Sequence, residues 1–529
     1  MLHVRHKNSI AAGDAAGRAA DQGLLRLYRL NASLPPSVVF TRKPMIDRRK
    51  FLVGTVTAVA APYVLQSKAN AQTARQRRDV QSLSVSDPFF AKYGDAVQKM
   101  HQLPATDPRN WRNQALIHIT HCPHGAQDFV HWHRHYILNF ELICGQLIGD
   151  PNFALAYWNW SANQGRIPDP FYDSNLLNVQ FWNDPSNAQS DNWSPDPVTT
   201  NGTRALTKGQ GLQDDPDAGT EFTQSFIDDI KRQSIFQFFT GQLEGSPHND
   251  GHVITGGPNG HMVSGMSPLD PIFWLHHCNV DRVWAEWQRA GNTTPPLGLD
   301  YNNQFVNGTG QPVMASSASA LDFAAMGYSY DTLSESLIAA ASEQLQLQPL
   351  QNQMVLQARD ISLTPQTLGA TDASPQIVTA GLETRFSVDA HGLIPNLFRS
   401  RTFWAYNVPG VRRLAVESGR ILARLLQVTP PQKQAALLVK VFVNCPYLSA
   451  KTRSTDPHYA GTFSFFGLHG SSHRPAEFVV DVTRPLRTLA SDGRIATETV
   501  NVQLMAVPAG SAAASDTTFT VGKVELLSV

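Results

Sequence analysis

Residues 118–136 read HITHCPHGAQDFVHWHRHY and place six histidines and one cysteine within nineteen positions. The part after Gly125 has helical periodicity, because its apolar residues fall on one face at about 100° per residue. This apolar stripe consists of Trp132, Tyr136, Phe140, Ile143 and Leu147. His133 lies at the edge of the stripe and is predicted to face a helical core, whereas His131 and His135 lie on nearly the opposite side.

The other histidines of this stretch precede the predicted helix. His124 lies nine residues before His133, roughly half a turn out of phase on a continuous helix, so the two can share a site only if His124 is in a loop. The residues CPHG at 122–125 have loop composition. His118 and Cys122 form an i,i+4 pair just upstream. We therefore predict a first cluster of His118, His124 and His133.

A second cluster lies at 246–288, SPHNDGHVITGGPNGHMVSGMSPLDPIFWLHHCNVDRVWAEWQ. His248 and His252 are one helical turn apart, which lets two imidazoles on one face bind a metal. Ser246 and Pro247 predict the N-cap and first residue of their helix. The spacing is that of H-E-x-x-H zinc sites, but the residue after the first histidine is Asn, so the general base of those sites is absent.

A further helix is predicted to begin at Asp270 and Pro271. Its stripe consists of Phe273, His277, Val280, Trp284 and Trp287. His277 is therefore the inward member of the adjacent pair His276 and His277. We expect Asp281, one turn further on, to orient the ring of His277.

The two clusters form two inward-facing triplets, His118, His124, His133 and His248, His252, His277. Six neutral imidazoles without a carboxylate ligand favour copper or zinc over the Glu-x-x-His pattern of di-iron proteins. The sequence therefore predicts a centre with two metal ions.

These residues resemble a known family, the tyrosinases and catechol oxidases. The first copper signature of that family is similar to the spacing of His124, Phe129, Trp132, His133, Arg134 and Glu141. The second is similar to that of Asp270, Pro271, Phe273, His277 and Asp281, preceded by His248 and His252. Flanking matches are GDPNFALAYWNWS at 149–161 and Tyr328-Ser329-Tyr330, similar to the Tyr-x-Tyr motif that closes the family's catalytic domain. The resemblance covers about 75–335, and the C-terminal part resembles the family's shielding domain less specifically.

The resemblance implies a mainly α catalytic domain, a four-helix bundle around two copper ions held by the two histidine triplets. The implied reactions use O₂ to hydroxylate monophenols at the ortho position and to oxidise o-diphenols to o-quinones, with small phenols as substrates. Cys122 matches the cysteine that forms a thioether with the histidine at position 124 in many members. His118 lies only six residues before His124, a short gap for the family, so His121 is the rival first ligand.

Three further residues match positions with roles in this family. There, a Glu shortly before the second copper's first histidine and an Asn just after it hold a water that deprotonates the phenol, and Glu244 and Asn249 match these positions. Ser264 matches the position where a bulky residue can overhang the site, so a serine leaves the entrance open. We therefore expect activity on monophenols as well as diphenols.

Other functions remain open at this point. A catechol oxidase or an o-aminophenol oxidase without monophenolase activity fits the same residues. A hemocyanin-like oxygen carrier shares the dicopper site, although an export signal argues against it. A zinc-binding structural protein is a more distant alternative.

Composition excludes several classes of partner. Among 529 residues, 43 basic side chains balance 43 acidic ones, so nothing suggests nucleic acid as a partner. The four cysteines are too few and too scattered for a disulfide framework. No internal stretch approaches the roughly 20 apolar residues of a membrane span. An oligomer is compatible with the sequence but not indicated by it.

The N-terminal region has the pattern of an export signal. Residues 45–71 read MIDRRKFLVGTVTAVAAPYVLQSKANA, with paired arginines, an apolar run and an A-x-A cleavage pattern. The arginine pair resembles the twin-arginine type, which predicts a periplasmic or secreted protein. Residues 1–44 lie upstream of this complete signal and are interpreted as an extension, with Met45 as the alternative start.

The rest of the chain divides by composition. We predict a catalytic domain over 72–340, a Gln-, Ser- and Thr-rich linker over 341–380 and an all-β sandwich over 381–529, where short alternating runs are separated by Gly, Pro, Ser and Asp. The sandwich is expected to shield the copper site by placing one side chain over the metals. The candidates are Tyr447 and Tyr459, whereas Phe463 and Phe465 alternate and are predicted to belong to the sandwich core.

Overall fold

The computed structural model describes residues 75–184, 202–333, 365–390, 402–403, 414–415, 419–432, 436–468, 475–492, 499–509 and 516–529. The predicted extension at 1–44, the export signal at 45–71 and residues 341–364 of the predicted linker lie outside these ranges. Residues Asn70–Val529 form one compact unit, to which everything below refers. In the described ranges, no helix has the length and apolar character that crossing a membrane would require.

The N-terminal part of this unit is helical, as predicted. Its helices are α1 Pro88–Gln102, α2 Trp111–His121, α3 Phe129–Ile148, α4 Pro170–Asp173, α5 Val179–Asn183, α6 Gln224–Lys231, α7 Phe236–Leu243, α8 Asn249–Gly256 and α9 Ile272–Arg289. Local sequence fixes their ends: Asp87 caps α1 through the Phe89 N–H with Pro88 at the first position. Gly149 ends α3 in the left-handed conformation at φ 70°.

Four of these helices, α2, α3, α8 and α9, carry one predicted ligand each, whereas His124 lies in the loop before α3 and His248 directly precedes α8. Aromatic side chains fill the space between α3 and α9, where Phe140 stacks on Trp274 with ring centroids 3.4 Å apart. Trp132 and Tyr136 of α3 are also fully buried, so the predicted apolar stripe faces the core. The predicted mainly α bundle is thus confirmed, and its packing places the histidine faces of the helices toward each other.

The helix with His248 and His252 does not begin where the sequence suggested. Ser246 and Pro247 lie inside a π turn, Glu244–His248, which joins α7 to α8 without a break. Because proline has no N–H to donate to the preceding turn, the wider π turn accommodates it within a continuous helix. The predicted N-cap is therefore wrong, although the two histidines remain one turn apart.

Asp281 does not orient His277, which corrects a second expectation. The Nδ1 of His277 has no hydrogen-bond partner among the described residues. The Asp281 carboxylate instead accepts hydrogen bonds from four buried side chains: Arg77, Arg134, Tyr328 and Tyr330. Through them it ties α9 to α3 and to a parallel pair of short strands, β1 Arg75–Arg77 and β2 Tyr328–Tyr330. The Tyr-x-Tyr motif thus closes the helical domain.

The C-terminal part is a sandwich of two antiparallel sheets, which confirms the predicted all-β domain. Its elements are β3 Gln366–Ala370, β4 Gln376–Thr379, β5 Glu383–Asp389, β6 Thr402–Phe403, β7 Leu414–Ala415, β8 Ile421–Val428, β9 Leu437–Val443, β10 Tyr459–Ser464, β11 Ala476–Asp481, α10 Thr483–Ser491, β12 Thr499–Pro508, β13 Thr518–Val521 and β14 Lys523–Ser528. The strand orders are β10-β9-β12-β5 and β11-β8-β14-β3.

The sandwich begins earlier than the predicted boundary at residue 381. Strands β3 and β4 fall in the predicted linker, but β3 pairs with β14 and β4 with β13. Each has one fully buried apolar side chain, Leu368 or Val378, and mostly exposed neighbours. A strand at a sheet's edge buries little surface, so its sequence can be as polar as that of a linker.

The sandwich packs directly on the helical domain. Their contact includes an apolar cluster of Phe238, Leu422, Val479 and Leu527. Two polar pairs also join the domains: the buried Lys440 amine donates to Asp217 at 2.7 Å, and the Tyr459 hydroxyl donates to Glu221 at 2.6 Å. Strand β10 therefore runs along the face of the helical domain that holds α8 and the π turn.

Candidate metal centre

The first cluster assembles four side chains at the meeting point of α2, α3 and the loop between them. Ligand atoms of His118, Cys122, His124 and His133 all lie within 4.8 Å of one another. The Nδ1 atoms of His118 and His133 donate to the carbonyls of Gly265 and Phe129, each at 2.8 Å. A carbonyl only accepts, so Nδ1 carries the proton and the Nε2 lone pair is left for a metal.

The structure brings His118 rather than His121 into this cluster. His118 is buried, whereas His121 lies exposed in the last turn of α2. His131 packs against Phe236 and Trp284, and His135 contacts the Ser316 carbonyl, so both lie outside the two clusters.

Cys122 lies against the ring of His124. Its Sγ is 3.2 Å from Nδ1 and 3.6 Å from Nε2, and therefore faces the ring edge that carries Cε1. The same sulfur is 3.3 Å from Nε2 of His133. Burial raises the pKa of the Cys122 thiol well above its ordinary value, so the sulfur is protonated here.

The second cluster gathers around α8 and α9. His248 Nδ1 donates to the Asn249 side-chain oxygen and His252 Nδ1 to the Met262 carbonyl, both at 2.8 Å. Their Nε2 atoms lie 3.4 Å and 3.3 Å from Nε2 of His277. The three predicted ligands thus converge through the same nitrogen, with the outer nitrogens of two of them held by acceptors.

The two clusters adjoin each other, and burial favours the neutral form of four of their rings. His277 stacks on His133 with ring centroids 4.2 Å apart. Burial is the largest cause that lowers the pKa of His133, His248, His252 and His277 well below the ordinary value. Six imidazoles without a carboxylate among them fit copper better than a hard cation.

His276 is a residue that sequence reasoning set aside. One of its ring nitrogens lies within 4.8 Å of ring nitrogens of His248 and His252. His276 and His277 are therefore both close enough to complete the second cluster with His248 and His252. The hydrogen bonds of each ring distinguish the two candidates.

Asn249 contacts His248 of the second cluster, whereas Glu244 contacts the loop that carries His124 of the first. Glu244 is buried and accepts a hydrogen bond from the Gly125 N–H at 2.6 Å. Burial raises its pKa to about 8, although the Gly125 hydrogen bond opposes that rise. Asn249 uses its oxygen for His248, and its amide nitrogen donates to the Ser464 carbonyl of β10 at 3.4 Å. Asn249, one of the residues predicted for catalysis, therefore also contacts the sandwich.

Ser264 is buried, and its hydroxyl stabilises its own turn. The Oγ donates to the His261 carbonyl and accepts from the Met266 N–H, each at 3.0 Å. The next residue, Gly265, provides the carbonyl for His118. The structure therefore places Ser264 next to a ligand support, while a side chain of the sandwich covers the histidines.

That covering side chain is Phe466, which the sequence analysis missed. Its ring stacks on His252 with centroids 3.7 Å apart and planes 8° from parallel, and it lies 5.0 Å from His124. Tyr447 is 55% exposed and Tyr459 binds Glu221, so neither of these candidates covers the histidines.

The predicted core positions of this segment are confirmed, since Phe463 and Phe465 pack within the sandwich. A signal for Phe466 was present in the sequence. Two consecutive phenylalanines after an alternating strand cannot both face the sandwich core. Gly467 follows at φ +76°, and a Cβ there would lie 2.1 Å from Cγ of His124. Only glycine allows this close approach.

Each of the two domains contains a stretch that matches a known family model. Residues 92–290 match the family described as the common central domain of tyrosinase, and residues 365–529 match a domain of unknown function (DUF7868). Aureusidin synthase of Antirrhinum majus is 30% identical over 283 residues, covering 46% of this chain and 50% of that protein. Chloroplastic polyphenol oxidase of Malus domestica is 29% identical over 291 residues, covering 47% of each. The chain thus spans about half the length of these curated relatives.

Solved structures resemble the chain over most of its length. Recombinantly expressed latent aurone synthase, a polyphenol oxidase, superposes with a TM-score of 0.54 at 20% identity, covering 87% of this chain and 90% of that one. Latent apple tyrosinase gives a TM-score of 0.51 at 18% identity, covering 86% and 96%. At such identities the likeness shows the fold alone.

Proposed function

We infer that the chain belongs to the tyrosinase and polyphenol oxidase family of type-3 copper proteins, and from this premise we propose that it oxidises phenols with O₂. The proposed activity is that of a tyrosinase, which hydroxylates monophenols at the ortho position and oxidises o-diphenols to o-quinones. The observation that carries the proposal is the convergence of six imidazoles in one site, four of which burial holds in the neutral form.

The proposed ligands are the two triplets His118, His124, His133 and His248, His252, His277. A copper pair bound there would exchange two electrons between O₂ and the phenol. The chain itself contributes rigid supports, because carbonyl and amide oxygens hold the outer nitrogens of four of these rings. The apolar bundle keeps bulk water away from the reacting groups.

Glu244 and Asn249 are proposed to handle the phenolic proton. A phenol with a pKa near 10 is mostly protonated at neutral pH, so a base close to the second cluster would assist its binding. Glu244, with a pKa raised to about 8, is better matched to that proton than an ordinary carboxylate. Asn249 fixes the ring of His248, which couples the proton-handling residues to a ligand.

Oxygen uptake tests the function directly. Copper-loaded protein is given L-tyrosine, L-DOPA and o-aminophenol in parallel. Uptake with tyrosine supports the tyrosinase proposal, whereas uptake with only DOPA or o-aminophenol assigns the narrower oxidases. Reversible O₂ binding without any turnover would indicate an oxygen carrier.

Cys122 is proposed to be joined to His124 by a thioether. The sulfur already faces the Cε1 edge of the ring, so bond formation removes one hydrogen from each partner and needs little movement. O₂ at the copper pair would accept the two electrons. Peptide mass spectrometry of copper-loaded protein should find residues 122 and 124 cross-linked and lighter by two hydrogen atoms; separate, unmodified side chains would contradict the proposal.

The sandwich is proposed to shield the site until it is displaced. Phe466 occupies the face of His252, and β10 is anchored to the helical domain by Tyr459. Cutting within 341–364 should raise catechol turnover without changing the copper content. A trimmed catalytic domain that keeps its copper but gains no activity would make the sandwich a stabilising domain only.

Export through the signal at 45–71 is proposed from its sequence pattern. The arginine pair, apolar run and A-x-A motif are the support. N-terminal sequencing of protein recovered outside the cytoplasm should begin after Ala71. Mature protein that retains residues 45–71 would contradict this proposal.

A further inference from the structure

Two adjacent histidines of α9 approach the second cluster. His277 Nε2 lies 3.4 Å and 3.3 Å from Nε2 of His248 and His252. A ring nitrogen of His276 lies within 4.8 Å of nitrogens of the same two residues. Distances alone therefore leave two candidates for the third ligand.

Trp160 distinguishes the two candidates chemically. Its indole Nε1 donates to Nδ1 of His276 at 3.1 Å, and both side chains are fully buried. An indole N–H can only donate, so Nδ1 of His276 must be unprotonated. The proton of the neutral ring then lies on Nε2, and the lone pair of Nδ1 is already engaged. Neither nitrogen of His276 is available to a metal in this arrangement.

The ring of His276 also packs against the rings of His248 and His252. Its ring centroid is 5.2 Å from that of His248 and 4.6 Å from that of His252. Gly251 lies between these ligands on α8, and a Cβ there would be 2.7 Å from Cε1 of His276. The His276 ring of α9 therefore lies directly against the α8 backbone, at a position where a side chain would not fit.

We propose that Trp160 and His276 form a support pair for the second metal, in which the indole N–H keeps His276 out of coordination and leaves the third position to His277. This inference rests on the proposed copper binding. It also gives a role to the stretch at 149–161, which includes Trp160. Both members are positioning residues, since they act through the rings of His248 and His252.

The support pair should control how firmly the second copper is held. Loss of the indole donor lets the His276 proton move to Nδ1, which frees Nε2 to compete for the metal. Removing a hydrogen bond that orients a metal site typically lowers metal affinity roughly 10- to 100-fold. One copper of the two should therefore leave the variant faster, while the other is retained as in the wild type.

The test compares four variants of the full copper-loaded chain: Trp160→Phe, His276→Gln, His276→Leu and His277→Gln. The readouts are copper per chain, the rate of copper loss to excess chelator, and the electron paramagnetic resonance spectrum of the half-oxidised centre. We expect Trp160→Phe and His276→Leu to bind two coppers and to lose one of them roughly 10- to 100-fold faster. They should also change the spectrum.

The conservative variant separates support from ligation. The glutamine of His276→Gln can accept from the indole, so its copper loss and spectrum should resemble the wild type. The variant His277→Gln should hold one copper. If His276→Gln loses a copper while His277→Gln keeps two, His276 is the ligand and the proposal is overturned. Wild-type rates and spectrum in both Trp160→Phe and His276→Leu would overturn it as well.

The test includes one control for the folding of each variant and another for the proposed function. Thermal unfolding of the metal-free chains shows whether each variant folds, and if Trp160→Phe does not, the comparison of leucine with glutamine at position 276 decides. A wild-type chain that binds no copper would overturn the proposed function and this inference together. Two coppers in the wild type with the wrong variant pattern would overturn the inference alone.

Discussion

Replacing Phe466 by alanine should convert a shielded site into an accessible one. The ring stacks on His252 at 3.7 Å, and it also contacts three further histidines of the helical domain, His118, His124 and His248. Its loss should therefore weaken domain docking. A buried Phe→Ala change costs about 3–5 kcal/mol. Since 1.4 kcal/mol is about tenfold, even 3 kcal/mol shifts docking roughly 100-fold toward the open state.

The assay is catechol turnover by the full, copper-loaded chain, with copper per chain measured in the same samples. Phe465→Ala is the matched control, because Phe465 is adjacent and buried but packs against Phe478 and Phe519 inside the sandwich. We expect Phe466→Ala to raise turnover while the unfolding temperature of the sandwich stays close to that of the wild type. Phe465→Ala should lower that temperature and leave turnover low while the sandwich is folded.

Two results would refute this reasoning. If Phe466→Ala keeps its copper and stays as inactive as the wild type, while a chain cut within 341–364 is active, another part of the sandwich blocks the site. If both alanine variants raise turnover equally under conditions where both are folded, the gain reflects general loosening of the sandwich. In either case Phe466 is not the side chain that controls access.

Three further predictions follow from the same contacts. His133→Ala should leave about one copper per chain and abolish catechol oxidation, whereas His131→Ala should keep two because that ring packs against Trp284; a loss of copper in His131→Ala alone would contradict the helix phasing. Asn249→Gly should reduce tyrosine hydroxylation far more than DOPA oxidation, and equal loss of both would remove Asn249 from proton handling. Burial raises the pKa of Glu221 to about 7, so the docked state favours the protonated carboxyl and docking should weaken as pH rises through about 7. Turnover should therefore increase more from pH 5 to pH 8 in the wild type than in Glu221→Gln, and identical pH profiles would contradict this linkage.

Helical periodicity predicted most of the histidine faces from sequence. One turn of spacing placed His248 and His252 on one face, and the apolar stripe of α3 put His133 inside and His135 away from it. These positions depend on contacts within one helix, which a period of about 3.6 residues describes well. The predicted N-cap at Ser246 was wrong, because a π turn continues the helix through this residue while the same residues still face the core.

The sequence by itself predicted the two histidine triplets, with His121 left as a rival for His118, and it predicted the helical domain and the sandwich, because each is visible in local spacing. Only the tertiary structure decided which side chains of other elements meet those histidines. Phe466, just after strand β10, stacks on His252. Trp160 donates a hydrogen bond to His276 from a loop, and Asp281 binds Arg134 instead of His277. Such contacts join residues far apart in the chain. They form because buried polar groups need hydrogen-bond partners and buried rings need close packing, and only the folded chain brings these groups together.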